Sequence, residues 1–89
     1  MAEQIRTDRI STLPDFGTTS SIEELDAIKT FGVIYAYNGV GLGGEGNVFC
    51  LPFAMKEAAI QIFVHYTGSP RKIRTYNWSD KVWTNWENL

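Results

Sequence analysis

Residues 59–86 alternate in three short runs separated by two turns, and side chains repeating every second position belong to extended strands. In the run 59–66, Ile60, Ile62, Val64 and Tyr66 share one face, while Gln61, Phe63 and His65 share the other. The second face mixes polar with aromatic groups and is expected to be only half covered. Thr67, Gly68, Ser69 and Pro70 then mark a turn, with Pro70 suited to the start of a strand and not its middle. In the run 71–77, Ile73, Thr75 and Asn77 oppose Lys72, Arg74 and Tyr76. A second turn follows at Asn77, Trp78, Ser79 and Asp80, where Asn, Ser and Asp bond their own backbone. The last run, 81–86, sets Val82, Thr84 and Trp86 against Lys81, Trp83 and Asn85. A regular strand would place Trp83 and Trp86 on opposite faces. Either one ring covers the outer face, or a bulge turns both the same way.

Upstream, the pattern predicts one short helix over residues 20–29. Ser21 and Glu24 have the spacing of a capping box, and Glu23, Glu24 and Asp26 lie where the helix dipole favours anions. Ile22, Leu25 and Ile28 form the stripe that would pack on a sheet, and Gly32 is placed to end the helix. Strands are expected over 33–37 and 48–53, the latter shortened or set at an edge by Pro52. Residues 54–58 are too few for a stable helix and read as a turn. The expected fold is therefore mainly β: a small antiparallel sheet of four to five strands with one short helix packed on it. Residues 1–19 carry no period, and Pro14 and Gly17 oppose a helix there, so they read as an extended arm attached to a domain over 20–89.

Residues 38–47 contain five glycines and match G-x-G-x-x-G in two registers. The dinucleotide motif needs a helix after it, and a strand-like run follows here, so no cofactor is expected. The loop reads instead as a flexible tip, or as a place where backbone comes close to a neighbour. With His65 and Cys50 the sole residues of their types, no zinc site is expected, and a Ser-His-Asp triad would have to use His65 in mid-strand with no nucleophile motif around any serine. Cys50 sits in an apolar run and reads as a small buried hydrophobe. We expect no catalytic residues, no metal and no cofactor. A net charge of −2 and a pI near 5.2 argue against a nucleic-acid partner. No apolar run approaches the roughly 20 residues of a membrane span, so no membrane insertion is expected.

Several of these segments recur together in one known arrangement. Leu25 and Ile28 in a short helix, then Gly32-Val33-Ile34-Tyr35, Gln61-Ile62-Phe63-Val64, Lys72-Ile73-Arg74-Thr75 and the closing Trp83-Thr84-Asn85-Trp86-Glu87-Asn88-Leu89 appear in that order. This order resembles the knob-type domain of bacteriophage tail fibres and R-type pyocin fibres, over residues 20–89. The resemblance implies a homotrimer, a place in a virion released by lysis, a role in host attachment, and bacterial surface glycans as possible ligands. The arm would then join other virion proteins. It implies no catalytic residue.

Aromatic residues make up 13% of a chain too short to hide them all, which directs attention to rings at an interface. Trp78 lies in a turn, with Tyr76, Arg74 and Asp80 nearby in sequence. A pyranose stacks its apolar face on a ring and pairs its hydroxyls with Asp, Asn or Arg, so Trp78, Tyr76, Arg74 and Asp80 form a candidate glycan site. Packing of Trp78 on a neighbouring subunit or back onto Trp83 is the competing reading. The cations Lys72 and Arg74 read as ion-pair or ring-stacking partners. A monomeric carbohydrate-binding module is the alternative to the fibre domain.

Overall fold

A computed structural model describes residues 14–55 and 57–89. The protein is a small, mainly β domain: one mixed sheet with a short helix, α1 (Ile22–Asp26), packed on one face. Its strands are β1 (Asp15–Thr19), β2 (Gly32–Ala36), β3 (Gly46–Pro52), β4 (Ala59–His65), β5 (Arg71–Asn77), β6 (Val82–Trp83) and β7 (Glu87–Asn88). They lie in the order β1-β2-β3-β4-β5-β6, with β7 also paired to β5. All pairings are antiparallel except β1 with β2, which is parallel.

The expected arm lies outside the described residues up to position 13, and its last part is strand β1. Neither Pro14 nor Gly17 prevents this. The Pro14 carbonyl accepts from Val33 N at 2.9 Å, and Gly17 takes φ +86 where the register slips between Asp15 and Thr18. A parallel pair needs a long crossover, and the segment carrying α1 supplies it.

Helix α1 stops earlier than the pattern predicts. Its N-terminus is also fastened differently from a reciprocal capping box. Ser21 Oγ accepts from Glu24 N at 3.4 Å, but the backbone N–H of Ser21 donates to Thr19 Oγ1 at 3.0 Å. The Glu24 carboxylate accepts from that same Thr19 hydroxyl at 2.9 Å. The Glu23 carboxyl is held below its usual range by its bond from Ser21 Oγ, at 2.8 Å.

The core lies between α1 and the sheet: Leu25, Ile34, Ala36, Leu42, Val48 and Phe63, flanked by Ile22, Ile28, Val40 and Trp86. Leu42 corrects the reading of the glycine-rich loop as a flexible tip. The chain turns through a 3-10 turn at Asn38–Val40 and left-handed Gly41, and so drives Leu42 to 2% exposure. The close-approach reading holds at Gly46, where an added Cβ would collide with the Val64 carbonyl.

The faces of β4 are reversed from expectation. Ala59, Gln61 and Phe63 are fully buried toward α1, and Ile60, Ile62 and Val64 are half-buried on the other side. That second face continues across the sheet. One row runs Val33, Phe49, Ile62, Ile73, and another sets Leu51 beside Ile60. No described element packs across it.

Candidate functional site

The C-terminal third closes against α1, and the join is built on one buried polar pair. Gln61 and Arg74 face each other across β4 and β5, at 0% and 5% exposure. The Gln61 amide donates to two carbonyls where the helix ends, Leu25 O at 2.8 Å, which also accepts from Ile28 N at 3.1 Å, and Ile28 O at 3.0 Å. Its oxygen accepts from Arg74 Nε at 2.9 Å and Nη2 at 2.7 Å. Arg74 Nη1 pairs with Asp26 at 2.8 Å. Trp83 Nε1 and Lys29 Nζ both donate to Asp26 O, at 2.9 and 3.0 Å. These side chains, with Cys50 Sγ on Ile28 O at 3.4 Å, end the helix in place of a glycine cap.

The guanidinium of Arg74 also sits 4.2 Å from the Trp83 ring centre and 4.6 Å from that of Trp86. Both indoles therefore lie on the helix side of the sheet. Register explains how: Tyr76 pairs with Trp83 but Ile73 pairs with Glu87, so the tail strand gains one residue between β6 and β7. Of the two arrangements open to the tryptophans, the bulge is the one present. Burial pulls the Arg74 pKa down, and the hydrogen bond and charge of Asp26 oppose it. Arginine stays protonated throughout the working range of proteins, so this is a buried cation held by two rings, an amide and a carboxylate. Burial pushes the Cys50 thiol up, against Gln61, Arg74 and Lys29, so it is a poor nucleophile.

Between α1 and the tail lies an open cleft of about 570 Å³. Asp26 and Lys29 form one wall; Tyr76, Lys81, Trp83 and Trp86 form much of the other. Tyr76 and Trp83 meet edge to face at 5.3 Å, and Lys29 Nζ lies 4.6 Å from the Tyr76 ring centre. The predicted glycan set therefore divides. Tyr76 and Arg74 line the cleft, and Arg74 has its polar atoms engaged within the fold. Trp78 and Asp80 stand outside it, in the turn after β5. Trp78 is 49% exposed there, and Asp80 Oδ2 accepts from Asn77 Nδ2 at 3.3 Å. Lys29, Lys81, Trp83 and Trp86 were missed as site residues. The aromatic-rich tail was visible in sequence, but the helix end that forms the facing wall is joined to it only through the fold.

Among the described residues, no three His, Cys, Asp or Glu groups converge to hold a metal ion, and no helix is long and apolar enough to cross a membrane. Compared with family models, with characterised proteins and with solved structures, the chain matches none.

Proposed function

We propose that the chain is a non-catalytic structural and adhesion domain of a bacteriophage fibre, assembled as a homotrimer in the virion and contributing to host-surface attachment. The observation that carries this reading is the sheet face turned away from α1. Val33, Phe49, Leu51, Ile60, Ile62, Val64 and Ile73 lie there side by side. Leu51 is 42% exposed, and a groove of about 400 Å³ runs along β1 to β3. A contiguous apolar patch on a small domain marks an interaction surface, and in a fibre of identical chains that surface meets its own copies. The residues upstream of β1, 1–13, would join other virion proteins. Ordering by sequence supports the same reading: the segments resembling fibre knobs are those that form α1, β2, β4, β5 and the tail.

Mass in solution tests it. Light scattering behind size exclusion is expected to give about three times 10.1 kDa for the chain. Ile62→Glu, in the middle of the apolar row, is expected to return the mass to one chain. A wild-type mass of 10.1 kDa at every concentration would overturn the assembly reading. The alternative, a monomeric carbohydrate-binding module, draws on the aromatic cleft on the helix side, which is open whether or not the sheet face is covered. It predicts glycan binding by a single chain, weakened by Tyr76→Ala in the cleft wall with the mass unchanged.

A further inference from the structure

We infer that the cleft between α1 and the tail binds an acidic saccharide, a pyranose carrying a carboxylate or a phosphate, with Tyr76 and Trp83 supplying ring surface and Lys29 and Lys81 the charge. This deepens the attachment reading by naming its ligand, and it does not depend on trimer formation. The cleft's volume of about 570 Å³ lies within the range of small-ligand sites. Its rings are fixed in place. Trp83 is tied to Asp26 O at 2.9 Å and to the Arg74 guanidinium, and Tyr76 is braced against Trp83. Rigid aromatic walls suit the C–H face of a sugar, because little side-chain freedom remains to be lost on binding. Asn85 stands exposed at the rim with an amide able to pair with sugar hydroxyls, and the Thr84 hydroxyl beside it, which accepts from Thr75 N at 3.0 Å, keeps its proton to donate.

Charge decides the class of sugar. Among the lining residues Arg74 and Asp26 neutralise each other at 2.8 Å. Lys29 and Lys81 are left without a carboxylate partner in the cleft wall, although the whole chain carries −2. Lys29 Nζ uses one donor on Asp26 O and lies over the Tyr76 ring at 4.6 Å, with its charge unpaired by any carboxylate of the cleft wall. Lys81 occupies a left-handed conformation, φ 59, which a lysine adopts at a cost that Gly or Asn would largely avoid. A strained residue that places an ammonium group at a cleft is consistent with use of that charge. A long polyanion is disfavoured by the overall negative charge, whereas a single acidic sugar meets only the local positive wall.

The test is a two-dimensional NMR titration of the full chain with methyl glucuronide and with glucose 6-phosphate, using methyl glucoside and inorganic phosphate as controls. Saturable shifts of the Trp83 and Trp86 indole signals are expected with at least one acidic sugar. The acidic ligand should bind about tenfold tighter than the neutral one, and added salt should narrow that gap. Lys81→Asn keeps a residue tolerant of the left-handed turn and is expected to weaken acidic-sugar binding about fivefold while leaving the neutral sugar unaffected. Tyr76→Ala should weaken both. Equal binding of acidic and neutral sugars, binding of phosphate as tight as that of the phosphosugar, or no saturable shift with any sugar would each overturn the inference. Solution mass separates the two readings: a trimer that binds no acidic sugar loses this inference alone, and a monomer that binds one loses the assembly alone.

Discussion

Arg74 makes contacts that no other side chain in the domain could replace together. Its guanidinium reaches Gln61, Asp26, Trp83 and Trp86 at once, and so joins β4, α1 and the tail. Removing it strands the Gln61 oxygen in a dry site and separates two indoles that now share a cation. The ion pair itself is the smaller loss, because the Asp26 side chain is 45% exposed and partly screened. Arg74→Ala should therefore lower stability by about 3 kcal/mol in urea unfolding. Arg74→Lys should recover little, since an ammonium group cannot stack between rings while reaching an amide oxygen. A loss below about 0.5 kcal/mol would show that the pair is only an exposed contact. The sequence offered Arg74 as a surface ion-pair or ring-stacking partner and as a glycan contact; it is buried and makes both kinds of internal contact. The sequence placed Gln61 on a face expected to be half covered and in the resembling segment 61–64, without marking it as a buried anchor. A strand's period defines two faces, and the choice between them depends on where α1 lands. The Gln61 amide is spent on helix carbonyls more than thirty positions upstream, and no local pattern encodes that separation.

The strands with a clean period were legible almost to the residue: β2, β4 and β5 lie within a position or two of the expected runs 33–37, 59–66 and 71–77. β1 was not, because its partner is parallel and reached through a crossover. Gly17, a poor strand former, is accommodated by a register slip. Leu42 was hidden by the glycines around it, whose permissive backbone suits a buried return as well as a mobile tip. The start of α1 shows the same limit and leads to a prediction. Sequence assigns the cap to Ser21 and Glu24, yet Thr19 carries the shorter bonds and is 3% exposed, against a bond of 3.4 Å at Ser21. Thr19→Val leaves the Ser21 N–H and the Glu24 carboxylate without their shared partner, at an expected cost of about 2 kcal/mol. Ser21→Ala removes the long bond from Glu24 N and the exposed bond to the Glu23 carboxylate, and should cost about 0.5–1 kcal/mol. Thermal unfolding of the two variants side by side checks the order, and a larger effect at Ser21 would restore the simple capping box.

The domain has two unlike sides. Toward α1, the sheet buries its core and opens into a positively charged aromatic cleft. Away from α1, it presents a row of aliphatic and aromatic side chains across four strands that no described element covers. An 89-residue chain already buries a modest share of its surface, and leaving Phe49, Ile62 and Ile73 half-bare forgoes stabilisation it could use. If identical chains cover that face, stability belongs to the assembly, and by mass action it must rise with protein concentration. Unfolding followed by circular dichroism over about a hundredfold range of concentration should then show the melting temperature climbing by several degrees. Ile62→Glu places a charge in the middle of the row, so its melting temperature should be lower and independent of concentration. The cleft variants Lys81→Asn and Tyr76→Ala should keep the wild-type slope, because their side chains lie on the other face of the sheet. A flat wild-type curve would mean that the apolar face is tolerated bare by a single folded chain. The case for a fibre subunit would then have no physical support in this face, and the cleft would remain as the domain's one built surface.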